Sequence, residues 1–321
     1  MRAFVCRTNI TAVATAEPGR AFMTRQVYRT PEARFTDLPG FAYTPRYAEV
    51  DGLRMHYVEA GPAHASPVVL LHGEPTWAYL YRHMIEPLVA AGYRVLAPDL
   101  IGCGRSDKPA AVADYSYASH VAWTEAWFAQ LGLTDVTLFC QDWGSLIGLR
   151  LVAEQPDIFA RVFVGNGFMP TGDENMPVLF SAWRAFARYS PVFPVGAIVQ
   201  AGSRRWLSRV ERAAYNAPFP DKRYTAGIRA FPGLVPITPN DPATPANRAA
   251  WESLARFSRP FHTCFADGDP ITRGADRALR RRVAGAAHVP HTTIRHARHF
   301  LQEDQGPAIA EFMLAQMGAP N

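Results

Sequence analysis

From residue 47 onward the chain follows a regular hydropathy pattern. Two runs with apolar residues at alternate positions, 47–50 and 53–58, are separated by Asp51-Gly52. Asp-Gly between alternating runs favours a tight turn with positive φ, so the pair reads as a β-hairpin. Short, nearly continuous apolar runs follow at 68–71, 94–97, 136–140, 162–164, 261–265 and 292–294. Such runs predict parallel strands buried on both faces. Between them lie segments of helical period, among them 117–131 and 145–155, the latter stopped by Pro156. An α/β fold with a mostly parallel, doubly wound sheet follows.

The alternation breaks between residues 169 and 240, where prolines crowd in and helical pieces at 179–188 and 204–215 succeed one another. It resumes over 251–265. The expectation is a core domain of residues 23–168 plus 241–321, with an inserted helical cap domain at 169–240 over the carboxyl ends of the strands. In open α/β sheets the ligand crevice lies at those ends. Residues 1–22 carry Arg2, Arg7 and the Ala14-Thr15-Ala16 triplet, but Thr8, Asn9 and Thr11 break the apolar stretch a leader would need. They are expected to be a disordered extension, or the product of a mis-assigned start with Met23 the working one.

Composition narrows the classes. A chain of 321 residues with 48% apolar and 19% charged positions is globular and long enough to bury a large core. The 33 basic residues exceed the 28 acidic ones, and all but Lys108 and Lys222 are arginines. Apart from the short run Arg280 to Arg282 they are dispersed, which argues against a nucleic-acid face. No apolar run reaches the ~20 residues of a membrane span. Cys6, Cys103, Cys140 and Cys264 share no zinc or thiol-exchange spacing, so a reducing, cytoplasmic location is expected.

The segment Cys140-Gln141-Asp142-Trp143-Gly144 joins an apolar run to a helical one, in the manner of a nucleophile elbow. The centre is Asp rather than Ser. A carboxylate at a helix N-terminus is held ionised by the free N–H groups, so it can attack without a base; equally, Asp there can be a simple N-cap. Downstream lie Asp267-Gly268-Asp269-Pro270 and His296-Ala297-Arg298-His299, completing the order nucleophile, acid, histidine. Asp269, at the turn before proline, is preferred as the acid over Asp267. His299 is preferred as the base over His296, His291 and His288 by its distance past the last strand. No helix places two of these histidines on one face beside a carboxylate, so no metal is expected. After the 68–71 run, His72-Gly73-Glu74-Pro75-Thr76-Trp77 is positioned to supply oxyanion donors: the N–H of Glu74 would act with that of Trp143.

The chain resembles the haloalkane dehalogenases of the α/β-hydrolase fold. The likeness is carried by residues 72–77, 99–109, Gln141 to Gly144, Phe180 to Trp183, Ala217 to Asp221, Asp269 and 299–304, and it extends from Met23 to the C-terminus. It implies Asp142 as nucleophile, His299 as base and Asp269 as its partner. It further implies Trp143 and Trp183 as halide donors, Glu74 at the oxyanion hole and orienting water, and no cofactor. Phe180 and Trp77 are expected to line the substrate pocket of a monomer that takes a haloalkane and water and releases alcohol and halide. Arg298 departs from the small residues usual beside the base and is expected to disturb it. A helical-core role for Trp183 stays open, since Phe180, Trp183 and Ala187 share a face. Rival readings are an epoxide hydrolase using Tyr189, Tyr215 or Tyr224 as acids, a fluoroacetate-type dehalogenase with arginines beside the elbow, and a non-catalytic small-ligand receptor. An esterase is disfavoured because no serine holds the elbow centre.

Overall fold

A computed structural model describes residues 25–174, 176 and 178–319. The 1–22 extension and Cys6 lie outside the described residues. The chain runs β1 (Val27–Tyr28), β2 (Arg46–Val50), β3 (Leu53–Ala60), β4 (Pro67–Leu71), α1 (Arg82–Ala90), β5 (Arg94–Pro98), β6 (Lys108–Pro109), α2 (Tyr117–Gln130) and β7 (Val136–Gln141). It continues through α3 (Trp143–Glu154), β8 (Phe159–Gly165), α4 (Val178–Tyr189), α5 (Val195–Ala201), α6 (Arg209–Asn216), α7 (Ala226–Leu234), α8 (Thr244–Leu254), β9 (Phe261–Ala266), α9 (Ala275–Arg282), β10 (Thr292–Ile294) and α10 (Leu301–Met317).

Eight strands form one sheet in the order β10-β9-β8-β7-β4-β5-β3-β2. The six from β10 to β5 are parallel, and β3 and β2 add antiparallel at the β5 edge. The expected hairpin is present, with Asp51 and Gly52 at φ 52° and 70°, as its two-residue turn requires. The short β1 and β6 pair apart from the sheet, an element the hydropathy pattern did not reveal. Every residue of β7 is buried, and Val68 to Leu71 of β4 are fully so. Burial on both faces is why these strands read as continuous apolar runs.

From β4 the chain first moves to β5 on one side and then crosses to β7 on the other. The loops after β4 and β7 therefore meet at the topological switch point, where a crevice opens. Helices α4 to α8 occupy the connection between β8 and β9; α8 packs on α3, whereas α4 packs on α7 and α5 on α6. The helix expected at 204–215 begins only at Arg209. Ser208 and Glu211 form its capping box, while the N–H groups of Arg204 and Arg205 are taken by the Asp304 carboxylate. No described helix is long and apolar enough to cross a membrane.

Candidate active site

Strand β7 delivers Asp142 into a sharp turn at φ 50°, ψ −128°, and α3 begins at the next residue. This strained, left-handed backbone thrusts the carboxylate out above the sheet. Close packing around it explains two glycines. A Cβ on Gly73 would lie 2.2 Å from Asp142 Oδ1, and one on Gly144 would lie 2.0 Å from the Leu71 carbonyl oxygen.

The carboxylate oxygens meet different partners. Glu74 N–H donates to Asp142 Oδ1 at 2.8 Å, while Oδ2 faces His299 Nε2 at 3.5 Å. Trp143, the first residue of α3, has an N–H with no intrahelical acceptor. The loop that carries Glu74 is tied down by His72: Leu100 N–H donates to its Nε2, which leaves Nδ1–H to donate to the Gly73 carbonyl. Burial holds His72 in the neutral form this requires.

His299 Nδ1 lies 3.2 Å from Asp269 Oδ2. Asp269 in turn accepts from Ile271 N–H at 2.9 Å and Thr272 Oγ1 at 2.5 Å. Burial opposes the imidazolium, but Asp269 and then Asp142 outweigh it and lift the His299 pKa to about 10. Burial likewise raises Asp269, but the charge and hydrogen bond of His299, with the Thr272 and Ile271 donors, bring it down to about 2.

The other candidates are placed elsewhere. Asp267 is exposed and accepts from the N–H groups of His296 and Ala297, bracing the loop without touching the imidazole. His291 bonds Thr263 and the Ala286 carbonyl, and His296 and His288 sit at positive φ in turns. One group of possible metal donors comes together among the described residues, His83, Glu211 and Glu303, but Arg82 and Arg205 already pair with both carboxylates.

Above Asp142 opens a cavity of about 660 Å³. Trp143, Leu146, Phe168, Phe180, Trp183 and Phe186 form much of its wall, with Ile198 and Val235 beyond. The titratable side chains on it are Glu74, Asp142, Arg298 and His299. Burial first, then the charge of Asp142, pushes the Glu74 carboxyl well above the usual carboxylate range; His299 and a hydrogen bond from Trp183 offset part of that. Glu74 Oε1 is buried with no partner. Trp143 packs against Tyr117 and Phe231, and Trp183 stacks on Phe186.

One expectation fails. Trp77 does not line the cavity: it is fully buried, stacked on Tyr79 and edge-on to Phe35 and Phe41. Its ring extends the apolar core under the N-terminal segment. Conversely, the hydropathy pattern missed Asn166. At the end of β8, at φ 39°, its carbonyl accepts Asp142 N–H and its Oδ1 accepts Ala266 N–H. Its Nδ2 donates to the carbonyls of Arg298 and His299, so one buried amide braces all three loops. Gln141 was also missed as a brace; its Nε2 donates to the His299 carbonyl at 3.2 Å. The available signal for Asn166 was an asparagine between two glycines directly after a strand, a setting that tolerates positive φ.

This topology and elbow define an α/β hydrolase, and the family model described as the alpha/beta hydrolase fold matches residues 66–305. The chain is 56% identical over 294 residues to a haloalkane dehalogenase of Mycobacterium marinum, covering 90% of this chain and 99% of that one. A haloalkane dehalogenase of Psychrobacter cryohalolentis is 51% identical over the same length, covering 90% and 97%. The tetrameric haloalkane dehalogenase DpaA from Paraglaciecola agarilytica superposes with a TM-score of 0.85 at 33% identity, covering 91% of this chain and 99% of that one. The chain belongs to the haloalkane dehalogenase family.

Proposed function

We propose that this enzyme, which hydrolyses haloalkanes to alcohol, halide and a proton, does so through a covalent alkyl ester on Asp142. The observation that carries the assignment is the division of labour at its carboxylate: Oδ1 is held by Glu74 N–H while Oδ2 faces His299 Nε2 at 3.5 Å, on a residue that lines the cavity. Oδ2 attacks the halogen-bearing carbon, the C–O bond forms as the carbon–halogen bond breaks, and the pair of electrons leaves with the halide. The indole N–H groups of Trp143 and Trp183 receive the anion in an apolar setting, where a hydrogen bond to a charged group nets about 1.5–3 kcal/mol.

Esterification also arms the base. The resting imidazole is held protonated in part by Asp142. Once that carboxylate is an ester its charge is gone, the His299 pKa falls, and the neutral ring can take a proton from water. Glu74, at the cavity wall, orients that water. Water adds to the ester carbonyl, the oxyanion on Oδ1 is held by the N–H groups of Glu74 and Trp143, and collapse releases the alcohol and restores Asp142. Asp269 keeps the imidazole oriented.

We assign residues 23–168 with 241–321 to the catalytic core and 169–240 to a cap, and Phe180 to the substrate pocket. The protein acts as a cytoplasmic monomer, a reading supported by unpaired Cys103, Cys140 and Cys264 and by a cavity complete within one chain; light scattering tests its mass. An epoxide-opening acid finds little support, since Tyr189, Tyr215 and Tyr224 are all outside the cavity wall. The decisive experiment pairs two variants. Asp142→Asn should abolish bromide release from 1-bromobutane, and His299→Gln should release about one equivalent and accumulate an enzyme heavier by one butyl group. Steady turnover in either variant overturns the mechanism.

A further inference from the structure

Among the titratable side chains on the cavity wall, one carries a permanent positive charge. Arg298 lies on that wall, yet its residue is exposed to solvent, so it stands where the cavity opens. Its stem runs over Gly268, where an added Cβ would lie 3.5 Å from Arg298 Cγ, and the Gly268-to-Ile271 turn is itself part of the wall. Its backbone is committed: the N–H donates to Asp304 and the carbonyl accepts from Asn166. The guanidinium is not. Among the described residues it has no carboxylate partner, unlike Arg82, Arg205 and Arg223, which all pair.

We propose that Arg298 is a carboxylate-binding subsite at the mouth of the cavity, and that the enzyme accepts ω-haloalkanoates, whose halogen-bearing carbon reaches Asp142 while the acid end pairs with the guanidinium. This deepens the dehalogenase reading and rests on it. The apolar wall suits a methylene chain, and away from the groups assigned to the halide and the triad the rim residue Arg298 is the cation on it. A planar guanidinium matches a carboxylate with two parallel hydrogen bonds. The cation also offsets the repulsion that Asp142 exerts on any anionic substrate. At a solvent-exposed site such a pair is modest, with about a two- to fivefold preference expected.

The test compares kcat/KM for 6-bromohexanoate with that for 1-bromohexane in wild type, Arg298→Gln and Arg298→Lys, at low and high salt. The ratio should fall about two- to fivefold in the Gln variant and be partly restored in the Lys variant. In wild type it should fall with added salt, and in the Gln variant it should not. A ratio that changes less than twofold in Arg298→Gln, or a wild type that consumes 1-bromohexane but refuses 6-bromohexanoate, overturns the proposal. Binding of hexanoate, read against hexanol by quenching of the cavity tryptophans, gives a second readout without turnover. Loss of hexanoate preference in Arg298→Gln supports the subsite, and its absence refutes it, whatever becomes of the bromides. Failure of wild type on 1-bromohexane would instead sink the dehalogenase reading alone.

Discussion

Replacing Asn166 separates holding the triad together from merely holding the fold together. Its side chain makes three hydrogen bonds, accepting from Ala266 at 2.8 Å and donating to the Arg298 and His299 carbonyls at 2.8 and 3.0 Å. At about 1 kcal/mol net each, Asn166→Ala should lose roughly 3 kcal/mol of stability, with a further ~1 kcal/mol for a Cβ residue of lower tolerance at φ 39°. Asn166→Gly removes the bonds without that backbone cost and isolates the first part. The functional effect should be asymmetric. In the proposed mechanism alkylation needs Asp142, whose N–H bond to the backbone carbonyl of residue 166 survives both substitutions. Hydrolysis, in the same mechanism, needs His299 in register with the ester, and its loop loses two anchors. Rapid-quench measurement should show the halide burst within about threefold of wild type and hydrolysis slowed ten- to a hundredfold, with alkyl-enzyme visible by intact mass. If both variants melt earlier but leave the ratio of the two steps unchanged, Asn166 is a structural brace only and the reasoning fails.

Two other outcomes are expected. Gly73→Ala should fold but lose more than a hundredfold in activity, because the new Cβ would overlap Asp142 Oδ1 at 2.2 Å; near-normal bromide release would show that the loop yields. The pH dependence of stability should follow the ion pair of His299 and Asp269. With its folded pKa raised from 6.5 to about 10, His299 contributes fully below pH 6.5 and loses that contribution as pH rises toward 10. With its folded pKa lowered from 3.8 to about 2, Asp269 contributes fully above pH 4 and loses it as pH falls toward 2. The melting-temperature gap between wild type and His299→Gln should therefore be widest between about pH 4 and 6.5 and narrow on both sides; a gap independent of pH would refute the pairing.

Local chemistry made the elbow and the hairpin legible, and the structure brings the expected acid, Asp269, within 3.2 Å of the expected base, His299. Asp51-Gly52 and Asp142 each impose a backbone conformation that few residues adopt, so a short window identifies them. Asn166 escaped because its partners lie 100 and more positions away, at Ala266, Arg298 and His299, and no window spans them. Trp77 was misplaced for the opposite reason. It is adjacent in sequence to the Glu74 loop, but the chain turns at Thr76, whose N–H and hydroxyl both bond the Gly73 carbonyl, and the indole is carried into the core. The late start of α6 was readable from Ser208 and Glu211, a capping box that outweighs the apolar period before it.

The two indoles facing the substrate chamber belong to different parts of the molecule. Trp143 is the first residue of α3, directly after the elbow, whereas Trp183 rides on α4, in the long excursion between β8 and β9. In the mechanism proposed above, an anion held by both would tie α4 to α3. On that reading the residence time of halide would depend on how firmly α4 is seated, and substitutions where α4 meets α7 would alter throughput without touching a reacting atom.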